Sequence, residues 1–182
     1  MKKTIAAILP VFMLATAFLA VGLVSSTSRA SDEKVLAVID GEKLTRKDFD
    51  AYFALFKGNP RYTLKTRRQK EAMLTHFIDR TLLLKEAKKA GYDKIDVLKK
   101  HPTLDRVEEE TIMLRAYLQD HVAKKVTVTP GEIAAYRKAH PGAGTKAARE
   151  RLTARRQKVL FDTLMKRIRA KHTIRYFPEN LE

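Results

Sequence analysis

Two short runs with strand character stand at opposite ends of a chain that otherwise reads as helix. Residues 34–39 (KVLAVI) are apolar and β-branched, and residues 173–177 (TIRYF) alternate apolar and polar side chains. A lone strand leaves its backbone N–H and C=O groups without partners. The simplest solution pairs the two runs with each other, so the ends of the chain must meet in one unit. The expected fold class is therefore mostly α, with short N- and C-terminal strands pairing. Asp40-Gly41 favours a tight turn, and residues 42–44 read as the stub of a further strand.

The helices follow from spacing and caps. Thr45, with Asp48 in the first turn, opens a helix over about 45–57, in which Phe49, Tyr52, Phe53 and Phe56 recur at helical spacing. A second helix spans about 66–90 and stops at Gly91, with a broad apolar face in its second half. Pro102 suits the first turn of a third. There Leu104, Val107, Thr111, Leu114, Leu118 and Val122 step by 3 or 4 as a buried seam, flanked by Met113, Ala116 and Tyr117. Residues 124–128 read as extended. Thr129-Pro130-Gly131-Glu132 is a capping box with Pro at the first helical position, starting a helix to about 139. The last helix covers about 145–171. Its first half is basic, and its second half presents Val159, Leu160, Phe161, Leu164, Met165 and Ile168 as a buried face.

The N-terminus carries a different message. Three residues with two Lys precede an uncharged stretch over 5–24, and Ser28 and Ala30 occupy the small positions of a cleavage site. This is the pattern of a secretory signal cut after Ala30, which places the mature chain in the periplasm or another extracytoplasmic space. The alternative is an inner-membrane anchor through residues 5–24, since the stretch is as long as a spanning helix. The chain has no Cys, which excludes a disulfide scaffold, a thiol nucleophile and a Cys-ligated zinc site. Net charge is +16, and cleavage removes Lys2, Lys3 and Arg29, leaving +13. Outside the cytoplasm such charge points away from nucleic acid. It points towards anionic lipid, lipopolysaccharide, acidic polysaccharide or acidic polypeptide.

Three stretches together, VLAVIDGEKLTRKDFDAYF (35–53), MLTHFIDRTLLLKEAKKAGY (73–92) and AYLQDHVAKKVTVTPGEIAAYRKAHP (116–141), carry a family likeness. They resemble the N-terminal chaperone module of the SurA / PpiD / PrsA group of exported peptidyl-prolyl isomerases. The opening matches at Val38, Gly41, Glu42, Leu44, Thr45 and Asp48. The long helix matches at Phe77, Ile78, Asp79, Arg80, Leu82, Leu83, Glu86, Ala87 and Gly91. The later signature matches at Val128, Thr129, Glu132, Ile133 and Tyr136. In most of that group a parvulin isomerase domain stands between this last helix and a returning C-terminal helix and strand. Here the interval is residues 140–145, too short for a catalytic domain. The resemblance thus implies a signal peptide over 1–30 and a single SurA-N-like domain over 31–182. That domain would comprise 34–140 and the returning segment 145–177, with no parvulin domain and no isomerase activity.

The expected activity is non-catalytic binding of unfolded or extended segments of exported proteins. The alternatives are a dedicated adaptor or structural subunit of an envelope, secretion or polysaccharide assembly, and a basic protein that binds anions or membrane surfaces. Large, adaptable side chains are the candidates for peptide binding: Tyr52, Phe53, Phe56, Met73, Phe77, Met113, Tyr117, Tyr136 and Met165. Taken singly, each would ordinarily be core. Lys146, Arg149, Arg151, Arg155, Arg156 and Lys158, against the single acid Glu150, are the candidates for an anionic partner, with Lys65, Arg67, Arg68 and Lys70 as an extension. The five His residues lack the spacing of a helical zinc site, so no metal and no cofactor are expected. The acid run Glu108-Glu109-Glu110 reads as a solvated face, and Asp79-Arg80 as a structural ion pair with a neighbouring helix.

Overall fold

The hairpin at the N-terminus turns on two residues with positive φ. Asp40 (52°) and Gly41 (87°) link β1 (Val35–Ile39) to β2 (Glu42–Thr45), the geometry for which Asp-Gly is favoured. The computed structural model describes residues 34–60 and 62–182; the signal or anchor segment lies outside them. β1 is the middle strand of three. It pairs antiparallel with β2 on one side and with β3 (Ile174–Tyr176) on the other, in the order β2-β1-β3. Ala37, Val38 and Ile39 face Tyr176, Arg175 and Ile174 in register. The two ends of the described chain therefore meet as expected, within a three-stranded sheet.

Among the described residues, four of the six α-helices start on a reciprocal capping box, in which an N-cap side chain accepts from the N3 backbone and the N3 side chain accepts from the N-cap backbone. These are Thr45/Asp48 for α1 (Arg46–Ala54), Thr66/Gln69 for α2 (Arg67–Lys89), Asp105/Glu108 for α4 (Arg106–His121) and Thr129/Glu132 for α5 (Pro130–Ala139). Between α2 and α4 lie a 3-10 turn, Tyr92–Lys94, and the single-turn α3 (Asp96–Lys99). The Tyr92 hydroxyl donates to Asp120 at 2.8 Å, and burial pushes the phenol up to about 12. α6 (Thr145–Arg169) runs back to the sheet.

Three expectations are corrected here. Pro102 lies outside the helix it was assigned to: α4 starts at Arg106, because Asp105 can cap it and Glu108 can return the bond, which Pro102 cannot do. The face of α4 is also rotated. Met113 and Tyr117 are buried, while Thr111 is exposed and Leu114 and Leu118 are half-buried. Residues 124–128 are not simply extended, since a 3-10 turn, Ala123–Lys125, precedes the non-helical residues.

The core gathers Leu36, Ile39, Phe49, Ile78, Leu82, Ile168 and Leu181, each at most 1% exposed. α2 is its axis, packed by α1, α4 and the C-terminal half of α6. Two half-buried ion pairs on α2 point in different directions. Asp79 holds Arg169 of α6 at 2.6 Å, and Arg80 holds Glu110 of α4 at 2.9 Å. Glu110 is thus a paired group, not part of a solvated run; Glu108 and Glu109 are exposed. α5 packs on α6 as a helical arm, tied by Glu132 to Arg156, and Ile133 of α5 and Ala148 of α6 are buried.

The C-terminus does more than supply a strand. Beyond β3 a 3-10 turn, Pro178–Leu181, places Leu181 in the core. The Leu181 carbonyl accepts from Arg46 Nη1 at 3.1 Å and Lys70 Nζ at 3.3 Å, and Asn180 Nδ2 donates to the Val35 carbonyl at 2.8 Å. Deletion of residues 173–182 removes a strand, a core residue and these bonds together. It should abolish the cooperative thermal transition, whereas Leu181→Ala should cost about 2–5 kcal/mol in urea unfolding. An unchanged melting temperature of the truncated chain would contradict this architecture.

Asp40 ties the hairpin turn to the start of β3. Its carboxylate accepts from His172 Nδ1 at 2.5 Å and from the Thr173 backbone at 2.9 Å. The His172 bond, then the Thr173 bond, hold the Asp40 carboxyl below its ordinary value. A depressed carboxyl stabilises the fold above its unfolded pKa of about 3.9, and that contribution is lost as pH falls through the folded value. Asn also tolerates a left-handed backbone, so Asp40→Asn removes the charge with little added backbone strain. The melting temperature of Asp40→Asn should lie below that of the parent at neutral pH. The gap should close below about pH 4.

Candidate binding clefts

The nine large side chains expected to bind peptide do not form one surface. Met73, Met113, Tyr117 and Met165 are 3–6% exposed and belong to the core, where α2, α4 and α6 meet. Met113 and Tyr117 reach the walls of two smaller clefts but present little of their surface there. Their helices have neighbours on the very faces that carry them, and the periodicity of a single helix does not reveal this.

Tyr52, Phe53, Phe56 and Phe77 are half-buried and gather where α1 meets α2. Tyr52 stacks on Phe77 at 5.0 Å and meets Phe56 edge-on at 5.1 Å, while Phe56 lies 4.6 Å from Tyr62. Arg80 sits 6.0 Å from the Tyr52 ring centre, and burial raises the Tyr52 phenol. A cleft of about 520 Å³ opens beside this cluster, with Leu44, Tyr52, Leu55, Phe77, Leu84 and Val107 in its wall. Its charges are mixed, and four of them are tied in pairs. Lys85 pairs with Glu42 and Arg80 with Glu110, both across the cleft lining.

Tyr136 stands elsewhere, in the cleft between α5 and α6. This cleft has a volume of about 680 Å³. Ala135, Tyr136 and Ala139 of α5 face Leu152, Val159 and Leu160 of α6. Positions 135, 136 and 139, and positions 152 and 159, recur at helical spacing, so each set lies along one side of its helix. Val159 is 57% exposed, against the expectation of a buried face from Val159 onward. The buried face begins only at Leu164. Tyr136 stacks on His140 at 4.1 Å, and His140 Nδ1 lies 2.9 Å from the Tyr136 carbonyl.

Cations and one acid frame that apolar floor. Lys125, Arg155, Arg156 and Glu132 line the rim. Glu132 serves two neighbours at once. Its Oε2 accepts from the Thr129 backbone at 2.8 Å and from the Thr129 hydroxyl at 2.9 Å, while Oε1 pairs with Arg156. The Thr129 bonds, followed by Arg156, hold the Glu132 carboxyl below its ordinary value. Of the six basic candidates on α6, Arg155 and Arg156 reach the cleft. Lys146, Arg149 and Arg151 are exposed along the same helix, and Lys158 pairs with Asp162 at 2.6 Å. Arg67 is engaged by Glu71 and Lys70 by the Leu181 carbonyl. Among the described residues, no group of His, Asp and Glu is placed to hold a metal ion, and no helix is long and apolar enough to cross a membrane.

Sequence reasoning placed Tyr136, Arg155 and Arg156 among the site candidates but missed the rest of this lining, including Lys125, Glu132, Ala135, Leu152, Val159 and Leu160. The available signal was the apolar side of a short, well-capped helix that follows no long-range pattern of its own.

A small sheet uniting both ends of the described chain, and helices packed on α2 with open apolar clefts between them, define a mostly helical module. The family model of the SurA-like N-terminal domain matches residues 1–97, more than half of the chain, and the protein belongs to that family. The match ends within α3, so α4, the α5–α6 arm and β3 extend beyond it. No curated protein matches the chain.

Core and cleft residues should separate in urea unfolding. Met113→Ala and Tyr117→Ala should each cost about 2–5 kcal/mol, as expected for truncation of a buried side chain. Tyr136→Ala should cost about 1 kcal/mol or less, because its ring lies at a half-open cleft.

Proposed function

We propose that the protein is a non-catalytic periplasmic chaperone, exported by a signal over residues 1–30 and working as a single domain over 31–182. It binds extended or unfolded segments of exported proteins. The observation that carries this reading is the solvent-open apolar cleft between α5 and α6 in a member of the SurA-like family. Side chains of a client enter between the two helices and rest on Tyr136, Leu152, Val159 and Leu160. Apolar burial supplies most of the affinity, at roughly 25 cal/mol per Å² removed from water. The surrounding cations speed encounter and add salt sensitivity.

Several features suit a holdase over an enzyme. α5 passes to α6 through a turn at residues 140–144, closed by the Ala143 amide donating to the His140 carbonyl at 3.1 Å and Arg137 Nε donating to the Ala143 carbonyl at 3.1 Å. That turn has no room for an isomerase domain. Lowering the ~18–20 kcal/mol barrier of an X–Pro bond needs a site that stabilises the twisted amide. The Tyr52/Phe53/Phe56/Phe77 cluster offers a second, shallower contact for longer clients.

The mature protein should suppress aggregation of a chemically unfolded client at near-stoichiometric ratios, yet leave the slow phase of proline-limited refolding unchanged. Tyr136→Ala with Val159→Ser should weaken suppression by about tenfold in required concentration while the melting temperature stays close to the parent's. Acceleration of the slow phase by highly purified protein would overturn the non-catalytic reading, and undiminished suppression by the double variant would move the site away from the α5–α6 cleft.

A further inference from the structure

The α5–α6 arm concentrates the charge of the molecule. Residues 123–160 hold ten Lys and Arg against two Glu, a net +8, whereas residues 31–182 together carry +13. A cleft meant for neutral apolar segments needs no such excess. Three of these cations, Lys125, Arg155 and Arg156, stand at the mouth of the apolar cleft itself. An apolar floor beneath a charged rim concentrates the field at the place where a ligand side chain enters. The one acid on this rim is Glu132, and it is already committed to Thr129 and Arg156.

We infer that the α5–α6 cleft selects polypeptide segments in which an apolar side chain is flanked by Asp or Glu, and that Glu132 acts as an internal competitor which holds Arg156 back from them. This rests on the reading that the cleft binds polypeptide, and it names the class of segment taken. Tyr136, Leu152 and Leu160 are half-buried between two helices, reachable by single side chains entering the cleft. A flat lipid surface would instead need apolar residues that protrude past the charged rim. A segment that places a carboxylate next to its apolar side chain can bury the latter and pair the former with Arg155, Lys125 or Arg156 in one pose. The Glu132–Arg156 pair then sets a threshold, because an incoming carboxylate must share or displace an existing partner.

The test uses fluorescently labelled peptides with identical apolar positions, flanked either by Asp and Glu or by Asn and Gln, titrated with the mature protein in an anisotropy assay. The acidic peptide should bind about tenfold tighter at low salt, the scale of a few exposed charge pairs. The difference should shrink towards none at high salt. Arg155→Glu should remove the preference, so that the acidic peptide no longer binds more tightly than the Asn/Gln peptide at low salt. Glu132→Gln is the sharper variant. Gln is accepted at the third position of a capping box, so α5 keeps its cap while the rim loses its only acid. It should bind the acidic peptide about threefold tighter, a gain that a merely structural role for Glu132 would not produce. If Glu132→Gln unfolds, the Arg155→Glu result alone decides the selectivity. Equal binding of both peptides, with both lost in Tyr136→Ala, would overturn the selectivity and keep the polypeptide site. Failure of both peptides to bind, with phosphatidylglycerol vesicles binding instead, would overturn both.

Discussion

Everything in this fold hangs on β1 having partners on both sides. A five-residue strand with one neighbour is marginal in water. Paired to β2 through an Asp-Gly turn, and to β3 from the far end of the chain, it becomes the centre of a small sheet with Leu36, Ala37 and Ile39 fully buried. That closure seats the C-terminal turn, so that Leu181 fills the core and its carbonyl gathers Arg46 from α1 and Lys70 from α2. The same closure brings the last turn of α6 beside the sheet, where Lys171 holds the buried Glu86 at 2.7 Å.

α6 carries two environments on one uninterrupted helix. Its C-terminal half buries Leu164, Met165 and Ile168 against the core, and Arg169 locks to Asp79 of α2. Its N-terminal half has α5 as its packing partner, joined through Glu132 and Arg156. A helix anchored at one end and lightly covered at the other leaves apolar positions such as Val159 open to solvent. That incompleteness is the feature on which the proposed binding of polypeptide segments rests.

The placement of charge follows the same division. Around α2 the ions are matched in pairs, Asp79 with Arg169 and Arg80 with Glu110, and they orient the helices that they join. Along the arm most cations are unmatched, because α5 and α6 together contain few acids. Lys158 pairs with Asp162, and Glu132 caps its own helix and ties it to α6, so one carboxylate joins local structure, arm packing and the character of the rim.

The sequence by itself determined the local grammar. The capping residues Thr45 and Thr129, the turn at Asp40-Gly41 and the stop at Gly91 were all legible, since each acts within a few residues of chain. The need for the two terminal strands to meet was also legible, because unpaired backbone has no other remedy. The Asp105 cap was equally local but was passed over for Pro102, which lacks a side chain able to accept a bond. What only the tertiary structure decided is which side of each helix faces a neighbour. Met113 and Tyr117 became core and Leu114 and Leu118 its flank because α2 and α6 arrive on that side of α4, and a single period of 3.6 residues cannot say so. The cleft was hidden for the same reason. Tyr136, Leu152 and Val159 come together only when α5 folds back on α6, and whether an apolar residue is covered depends on a partner that is distant in the chain.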